Sequence, residues 1–353
     1  MRKLPPGGAS VMEFDELIDE VSNSFPPREV ALELLQRSRE PALALRLFAA
    51  ASKIRDETLG KTLWWSAGIS SMMPCRVEPL CTYCTYFTVK SFPIEELVAS
   101  VKAIERLGIR HLHLSGGTDL RGYDNELAEA VNVIRDASDI DIEINLGPSF
   151  TRNGVRRFKQ LGVTSITSSL ETFNPKVFAK AKPGDSLEAR KALIEMCQEE
   201  GMPVRSMILV GLGESEADRI DHLYWLKQFS ELYQLRFSRF MPYRGTGWET
   251  HPRCSPWEVA RLVAVTRLLM PNVQLGLAAG NTPDDIPLWY AAGGGNQVLG
   301  AGISLRKGKI KSQPGETVID VTERVSLVSR MAQIEQFIRG LGREISSELP
   351  QIH

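Results

Sequence analysis

Three cysteines within ten residues constrain this chain more than any other feature of its sequence. Cys75, Cys81 and Cys84 have the spacing C-x5-C-x2-C, and the 353-residue chain contains only two further cysteines. Closely spaced thiolates are the ligands of iron–sulfur clusters and of zinc ions. Three ligands leave one position of a four-ligand site open, and an open position can bind a reactant. The spacing therefore predicts a cluster with one iron that has no protein ligand.

Two other uses of the cysteines have to be weighed. A structural zinc site normally shows a second C-x2-C pair or a histidine pair, and none of the five histidines has finger spacing from the cysteines. A disulfide framework is typical of short secreted chains, whereas this chain is long and has few cysteines. The pattern favours a cluster, and a non-catalytic metal-binding scaffold stays open as an alternative.

Composition limits the partners and the compartment. The chain is 43% hydrophobic and 24% charged, which is ordinary for a globular protein with a large core. Its formal net charge of −1 implies no general attraction to nucleic acid or to acidic membranes, so neither is expected as a partner. No apolar run has the length of a membrane span, and residues 1–12 lack the apolar core of a signal peptide. A cytoplasmic, reducing location is therefore expected.

Hydrophobic periodicity predicts an α/β fold. Helix-like intervals between apolar residues predict an N-terminal helical extension over residues 1–60. Strand and helix patterns alternate from residue 61 onward, and repeated units of this kind imply parallel strands. The predicted strands are residues 63–70, 111–114, 140–146, 165–170, 204–210, 235–241, 273–277 and 297–302.

Eight such units predict a (β/α)8 TIM-type barrel over residues 61–310. An open, doubly wound sheet is the alternative, because the eighth strand is weakly signalled. A C-terminal tail over residues 311–353 is predicted to finish in a helix at about residues 321–345. In a barrel, functional residues gather at the C-terminal ends of the strands. The three cysteines directly follow the first strand, so they are expected at that mouth.

With these motifs in place, the chain resembles the radical S-adenosylmethionine (SAM) superfamily, in the branch of biotin synthase, HydE and methylornithine synthase. Most of that superfamily has C-x3-C-x2-C. The C-x5-C-x2-C spacing is similar to that of the HmdB (HcgA) family, from the pathway that builds the iron-guanylylpyridinol cofactor of [Fe]-hydrogenase. The resemblance implies a [4Fe–4S] cluster, SAM, and reductive cleavage of SAM to a 5′-deoxyadenosyl radical. It also implies a small-molecule substrate and a one-electron donor such as ferredoxin or flavodoxin.

The resemblance assigns the first SAM-binding residues near the cysteines. Tyr83 has the place of an aromatic residue that contacts SAM, although a tyrosine packed under the loop would look the same. Ser115-Gly116-Gly117-Thr118, after the second strand, has the place of a Gly-Gly-Glu motif that binds the methionine amino group. Thr118 replaces the glutamate, so backbone carbonyls and the threonine hydroxyl are expected to bind instead. The two glycines are expected to let backbone approach the ligand closely.

The resemblance places further SAM-binding residues after later strands. Glu171 would accept hydrogen bonds from ribose hydroxyls or the SAM amine, and a carboxylate that favours a helix N-terminus is the alternative. Arg190 would pair with the SAM carboxylate, because a guanidinium suits bidentate binding. Leu209 would contact the adenine, and Phe240 with Met241 would complete that pocket. Packing in the core explains these apolar residues almost as well.

Substrate-binding residues are predicted from polar side chains on the strands. Polar groups that point into a barrel are costly unless they are paired, so they are candidate ligands. Asn145 and Arg239 are the predicted substrate residues, and the arginine suggests a carboxylate or phosphate on the substrate. His111 and His113 are expected to be hydrogen-bonded packing residues.

Two cysteines remain outside the motif. Cys197 falls in a predicted helix, and Cys254 is expected in a surface loop. They cannot supply a four-cysteine auxiliary cluster, which argues against sulfur insertion of the biotin synthase kind. A carbon-skeleton mutase similar to methylornithine synthase stays open as a second enzymatic function.

Overall fold

The computed structural model describes residues 12–23, 26–84, 90–305 and 314–348. The chain begins with three helices, whose apolar faces are buried at positions such as Leu34, Leu47 and Phe48. These faces pack against later helices of the barrel, so the predicted helical extension lies on the outside of the barrel wall. Its helices are α1 (Phe14–Asn23), α2 (Arg28–Arg37) and α3 (Pro41–Leu59).

Eight parallel strands follow, and each is short and largely buried. The strands are β1 (Thr62–Ile69), β2 (His111–Ser115), β3 (Asp141–Asn145), β4 (Val163–Thr167), β5 (Val204–Val210), β6 (Leu232–Arg239), β7 (Gln274–Leu277) and β8 (Gln297–Leu305). The helices between them are α4 (Leu97–Glu105), α5 (Asp124–Arg135), α6 (Arg152–Gln160), α7 (Pro175–Ala181), α8 (Leu187–Glu199), α9 (Glu216–Leu226), α10 (Pro256–Leu269) and α11 (Ile286–Ala291).

The strands lie side by side in the order β7-β6-β5-β4-β3-β2-β1-β8, and all of these pairs are parallel. The predicted α/β class is therefore confirmed, and the strand order is that of a TIM-type barrel. Strands β7 and β8 have no ladder between them. Their starts are joined by a backbone hydrogen bond of 2.7 Å from Gly295 to Leu275, and the Gln274 side chain accepts from Asn296 N at 3.0 Å.

The C-terminal region differs from the prediction of one helix over residues 321–345. Two strands come first, and they extend the sheet antiparallel beyond β8. A shorter helix follows, and a final strand pairs in parallel with β1 at the base of the barrel. These elements are β9 (Thr317–Asp320), β10 (Val325–Ser329), α12 (Met331–Gly340) and β11 (Glu344–Ser346). The prediction was wrong here because pairing with distant strands overrides a local helical pattern.

None of the helices in the described ranges is long and apolar enough to cross a membrane.

Candidate active site

A cavity of about 780 Å³ opens among the C-terminal ends of the strands. Every predicted site residue except Gly117 lines it. The predicted residues that line it are Cys75, Cys81, Tyr83, Cys84, Ser115, Gly116, Thr118, Asn145, Glu171, Arg190, Leu209, Arg239, Phe240 and Met241. The fold therefore brings together residues that are spread over more than 160 positions of the chain. A functional site at the barrel mouth was the expectation for this strand order.

The loop that carries the cysteines is tied to the barrel along its length. Backbone hydrogen bonds of 2.9 Å run from Met72 N to Ser115 O and from Arg76 N to Thr118 O. A third bond of 2.9 Å runs from Thr82 N to the carbonyl of Ala181 at the end of α7. Backbone groups bonded in this way cannot move independently of the strands. The barrel therefore fixes the position of the cysteine loop.

The two adjacent glycines, Gly116 and Gly117, pack closely against the cysteine loop, and of the two only Gly116 also lines the cavity. A Cβ atom on Gly117 would lie 2.2 Å from the backbone nitrogen of Cys75, and one on Gly116 would lie 2.9 Å from Met73 N. Such distances leave no room for a side chain. Close backbone approach was predicted at these positions, but at Gly117 the partner is the cysteine loop and not a ligand. Gly184 makes a similar approach to the same loop, because its Cβ would meet Pro79 O at 2.2 Å.

The donor set at the mouth fits an iron–sulfur cluster. All five cysteines lie within the described ranges and none is in a disulfide. Among the described residues, no three His, Cys, Asp or Glu side chains are placed to hold a single metal ion. A cubane attaches each thiolate to a different iron, so it needs sulfurs that are spread apart. Cys75, Cys81 and Cys84, half-buried around one cavity, offer soft donors of that kind.

Burial and charge act in opposite directions on the thiol of Cys81. Burial raises the pKa of Cys81, whereas the cations of Lys182 and Arg190 lower it, and the net pKa is above the usual value. The thiol alone is therefore protonated at neutral pH. A bound cluster would replace that proton, because metal coordination deprotonates a thiol.

Glu171 is held in a costly conformation beside the cysteines. Its φ of 65° is in the left-handed region, which is rare for residues other than glycine. Backbone hydrogen bonds fix it to β5, from Glu171 N to Met207 O at 3.0 Å and from Leu209 N to Glu171 O at 2.8 Å. The side chain is buried, and its Oε2 atom has no hydrogen-bond partner among the described residues. Strain together with an unpaired buried carboxylate oxygen is typical of a ligand site.

Arg190 already has a carboxylate partner within the chain. Its Nη2 lies 2.6 Å from Asp185 Oδ2 and its Nε lies 3.1 Å from Asp185 Oδ1, which makes the pair bidentate. Nη1 donates to the carbonyl of Ser169 at 2.5 Å, and Nη2 also reaches Thr118 Oγ1 at 3.4 Å. Burial alone would raise the pKa of Asp185, but Arg190 and Lys182 lower it to about 2. Pairing of Arg190 with a SAM carboxylate stays a prediction.

Lys182 is a buried cation that sequence reasoning missed. Its Nζ lies 3.4 Å from Glu171 Oε1 and 3.5 Å from Asp185 Oδ2, and the side chain lines the cavity. Burial and Arg190 lower its pKa, but Glu171, Cys81 and Asp185 raise it further, so the net pKa is above the usual value and the group is an ammonium. The residue directly precedes Pro183-Gly184-Asp185, which predicts a turn but says nothing about a ligand.

Aromatic rings cover the other side of the cysteine loop. The Tyr83 ring lies 6.3 Å from Phe240 and 6.5 Å from Trp248, in edge-to-face arrangements. Trp248 also donates from Nε1 to Thr82 Oγ1 at 2.8 Å, which ties its loop to the cysteine loop. Trp248 was not predicted, because a tryptophan in a long loop after β6 carries no local signal. The apolar wall that these rings form is compatible with the predicted adenine pocket.

The two predicted substrate residues, Arg239 and Asn145, both lie in the cavity wall, but they differ in how many hydrogen bonds their side chains make. Arg239 donates from Nη2 to Asp285 Oδ2 at 2.9 Å and from Nη1 to the Cys254 carbonyl at 3.3 Å. Its Nε is buried and has no hydrogen-bond partner among the described residues. The side chain of Asn145 lines the cavity and makes no hydrogen bond to any described residue. Both can therefore still donate to a ligand, and their role stays a prediction.

Deeper in the barrel, a second charged group surrounds Glu143, and its members His113 and Arg236 also line the cavity. The buried Glu143 carboxylate receives both terminal nitrogens of Arg236 at 2.5 Å, and Arg205 approaches it at 3.3 Å. His111 is hydrogen-bonded to Glu143 at 3.3 Å, and His113 lies 2.9 Å from the other Glu143 oxygen and is hydrogen-bonded to Arg236 at 3.4 Å. The arginines and histidines outweigh burial and hold the pKa of Glu143 well below its usual value.

The two remaining cysteines do not line the cavity. Cys197 is buried in α8, as predicted, and burial raises its pKa to about 12. Cys254 was expected on the surface, but it is only 7% exposed and packs against Gly211 and Phe240. The turn into α10 folds back over β5 and β6, which buries this loop residue.

Comparison with known proteins gives relatives for most of the chain. Residues 75–226 match the model of the Radical SAM superfamily. The uncharacterized protein MJ0785 of Methanocaldococcus jannaschii is 31% identical over 240 residues, which cover 65% of this chain and 63% of the relative. The 3-methylornithine synthase of Methanosarcina barkeri is 23% identical over 74% of this chain and 75% of its own length. The biotin synthase of Carboxydothermus hydrogenoformans is 25% identical over 76% of this chain and 86% of its own length. The chain thus spans less than two thirds of the Methanocaldococcus relative.

Solved structures share the fold. Methylornithine synthase (PylB) superposes with a TM-score of 0.75 at 19% identity, over 94% of this chain and 97% of that chain. The [FeFe]-hydrogenase maturase HydG from Carboxydothermus hydrogenoformans superposes with a TM-score of 0.78 at 18% identity, over 95% of this chain and 80% of that chain. Enzymes of the radical SAM superfamily use a [4Fe–4S] cluster and SAM, the two cofactors predicted for this chain. Over residues 75–226 the chain is therefore similar to the radical SAM superfamily, and it has more distant relatives among the biotin synthases and 3-methylornithine synthases.

Proposed function

We propose that the chain cleaves SAM reductively to methionine and a 5′-deoxyadenosyl radical, which abstracts hydrogen from a small organic substrate. One observation carries the proposal. The three thiols of Cys75, Cys81 and Cys84 line the same cavity as Glu171, a buried carboxylate with an unpaired oxygen. The thiols match the cluster, and the carboxylate supplies an acceptor for the amine or ribose hydroxyls of SAM.

The chain's own residues would bind the cluster, orient SAM and shield the radical from water. The cysteines hold the cluster, which when bound supplies the electron that breaks a C–S bond of SAM. Glu171 orients SAM from a backbone that β5 keeps rigid. Tyr83, Phe240 and Trp248 exclude water from one side, which protects a reactive radical from side reactions.

We place this reaction in the biosynthesis of the iron-guanylylpyridinol cofactor of [Fe]-hydrogenase, at formation of the pyridinol ring. The support is the C-x5-C-x2-C spacing, which departs from the commoner C-x3-C-x2-C. Ferredoxin or flavodoxin would supply the electron, and the substrate would be a small molecule held near Asn145 and Arg239. The unpaired Nε of Arg239 favours an anionic group on that substrate.

Anaerobic reconstitution tests the reaction. Protein supplied with iron and sulfide should show the visible absorbance of a [4Fe–4S] cluster and, after reduction with SAM, release 5′-deoxyadenosine. Cys81→Ala should lose both signals. Cys197→Ala is the matched control, because this thiol is buried in α8 away from the cavity, and it should keep both.

Retention of 5′-deoxyadenosine release by Cys81→Ala would contradict the proposal. Zinc binding by the wild-type protein, with no iron–sulfur absorbance after reconstitution, would favour a non-catalytic metal-binding scaffold instead.

Extract complementation tests the pathway. An extract from an [Fe]-hydrogenase-producing strain without its own counterpart of this gene should regain pyridinol formation when the loaded enzyme and SAM are added. Cys81→Ala added in equal amount should restore nothing. If the loaded, SAM-cleaving enzyme also restores nothing, the pathway assignment is wrong while the SAM chemistry stands.

A carbon-skeleton mutase is the second candidate. It is favoured by relatives named 3-methylornithine synthase and by the superposition on PylB over nearly the whole length of both chains. Incubation of the reduced enzyme and SAM with single amino acids, followed by mass spectrometry for isomers of equal mass, distinguishes the two. A rearranged amino acid would identify a mutase, whereas 5′-deoxyadenosine without an isomer would not.

A further inference from the structure

We propose that the substrate is an amphipathic acid, with a hydrocarbon portion that lies against Leu299 in the barrel interior and an anionic group held by Arg239. This substrate class rests on the proposed function and narrows the small molecule named there. The anionic group was expected from the sequence, whereas the apolar contact was not. A substrate that is polar along its whole length, such as a sugar, would leave Leu299 exposed to water.

The side chain of Leu299 points into the barrel. Successive side chains of a strand lie on opposite faces of the sheet. A Cβ atom on the next residue, Gly300, would lie 2.6 Å from the ring of Trp65 and 2.8 Å from Met331, the first residue of α12. Helix α12 packs against β8 and α11 on the outer side of the barrel. Leu299 therefore points inward, where it lines the cavity and is 52% exposed.

Open space lies beside Leu299. Two glycines, Gly68 of β1 and Gly302 of β8, are paired across the sheet and line the cavity. A Cβ atom on Gly68 would lie 3.7 Å from the carbonyl oxygen of His113 and 3.8 Å from Leu299 Cδ1. One on Gly302 would lie 3.8 Å from the Gly68 carbonyl oxygen. These are ordinary contact distances, so side chains would fit there, and interior positions of such barrels usually carry bulky branched ones. The two glycines therefore leave an open space next to Leu299, the apolar slot.

The apolar slot lies apart from the predicted SAM site. Ser66, the partner of Leu299 across the sheet, is buried, and its hydroxyl donates to the carbonyl of Val298 at 3.2 Å. The residues predicted to bind the cluster and SAM lie on or after β1, β2, β4, β5 and β6, and none of them lies on β7 or β8. Hydrocarbon that covers Leu299 removes apolar surface from water, which is favourable. The slot therefore suits an apolar part of a second ligand.

A charged group lies on the same side of the cavity. Arg239, at the end of β6, lines the cavity, and its buried Nε has no hydrogen-bond partner among the described residues. Its Nη2 donates to Asp285 Oδ2 at 2.9 Å, and a Cβ atom on Gly280 would lie 2.1 Å from its carbonyl oxygen, so the segment after β7 holds it. The cation thus lies where β6 meets β7, while the slot lies between β8 and β1. An acid with a hydrocarbon portion complements both.

Two probes of equal shape test the slot. 4-Methylpentanoate and succinamate carry the same carboxylate, but the first ends in two methyl groups and the second in a carboxamide. Their dissociation constants are measured by anaerobic calorimetry on reconstituted protein with saturating SAM. The wild type should bind 4-methylpentanoate about tenfold more tightly, because its methyl groups leave water in the slot. Leu299→Asn should lose most of that preference and keep the wild-type affinity for SAM.

Matched variants give the control. Leu45→Asn makes the same substitution at a leucine of α3 that is 60% exposed outside the barrel, and it should keep the preference of the wild type. Gly302→Val fills the slot without adding a polar group, so it should weaken 4-methylpentanoate by about tenfold and leave SAM binding unchanged. Gly302→Ala makes a smaller change of the same kind and replaces Gly302→Val where that variant does not fold.

A third probe tests the charged end. 4-Methylpentanamide has the same hydrocarbon without the charge, and the wild type should bind it about tenfold more weakly than the acid. Arg239→Gln should remove most of this difference. Equal affinity of the wild type for the acid and the amide would overturn the assignment of the anionic group to Arg239.

The slot has its own contrary outcomes. Equal affinity of the wild type for 4-methylpentanoate and succinamate, no saturable binding of 4-methylpentanoate, or a wild-type preference in Leu299→Asn would each overturn it. Failure of the proposed function is a separate result, in which the wild-type protein binds neither a cluster nor SAM. The same probes, added without SAM, would then still report on the slot, because none of its residues is a predicted ligand of the cluster or of SAM.

Discussion

Two buried groups of charges lie in the same barrel, and they differ in how completely they are satisfied. The upper group, Glu171, Lys182, Asp185 and Arg190, lines the cavity beside the cysteines. The lower group is centred on Glu143 in the barrel interior. Glu143 receives tight hydrogen bonds at 2.5 Å, whereas Glu171 has one oxygen with no partner among the described residues.

The difference indicates which group is structural and which is kept for a ligand. A buried carboxylate with every lone pair occupied is stable only with its partners, and it has nothing left to offer. A buried carboxylate with an empty side costs stability, which a ligand can restore. We therefore expect the lower group to stabilise the scaffold and the upper group to bind the ligand.

The largest expected change in the free energy of unfolding comes from a substitution that breaks the lower group. Glu143→Gln removes the carboxylate that is ion-paired with the buried cations of Arg205 and Arg236. Loss of one partner from a buried ion pair typically costs about 3–5 kcal/mol. The free energy of unfolding, measured with denaturant, should fall by this amount. A fall below about 1 kcal/mol would show that the lower group is not structural.

The matching change in the upper group should affect ligand affinity more than the free energy of unfolding. Glu171→Gln keeps the shape of the side chain and removes a charge that is only loosely paired with Lys182. We expect a change in unfolding free energy within about 1 kcal/mol, because no tight bond is lost. Affinity for SAM should fall by about tenfold or more, as the acceptor for its amine or hydroxyls weakens. Unchanged SAM affinity would remove Glu171 from the site.

A smaller effect concerns acid stability in the lower group. Burial and Arg205 lower the pKa of His111 to about 4, despite the opposing effect of Glu143. As pH falls below about 6.5, the unfolded chain takes up a proton that the folded chain refuses, so stability is lost until the pH reaches the folded pKa. At pH 5 this costs about 2 kcal/mol relative to pH 7 or above.

His111→Gln removes this titration and keeps an amide that can donate to Glu143. Its unfolding free energy should therefore fall less between pH 7 and pH 5 than that of the wild type. Denaturant unfolding at the two pH values measures the difference. Equal losses in both proteins would show that His111 takes up its proton in the folded state as readily as in the unfolded state.

The sequence predicted the scaffold better than the site. Strand β5 was predicted with the same bounds that the structure has, because Pro203 and Gly211 enclose a run that is apolar except at Arg205 and Ser206. Strand β4 ends at Thr167, three residues earlier than predicted, because the chain leaves the sheet there to reach the left-handed turn at Glu171. The early end of β4 is thus what brings Glu171 into the candidate site.

The missed features share a physical cause. Strand β10 depends on pairing with β8 and strand β9 on pairing with β10, whereas Lys182 depends on a turn that carries it to Glu171. Residues 317–328 do alternate between apolar and polar side chains in part, and that period of two could have favoured strands over a helix. For Lys182 the sequence offers no comparable signal.

The backbone bonds around the cysteines also bear on where a cluster would be held. The loop is anchored beside β2 and α7 by backbone hydrogen bonds, and at Gly117 a single methyl group would push it away. A cluster bound by the three predicted ligands would therefore take its position from the barrel wall. A substitution at Gly117 should displace all three sulfurs together, although it changes none of them.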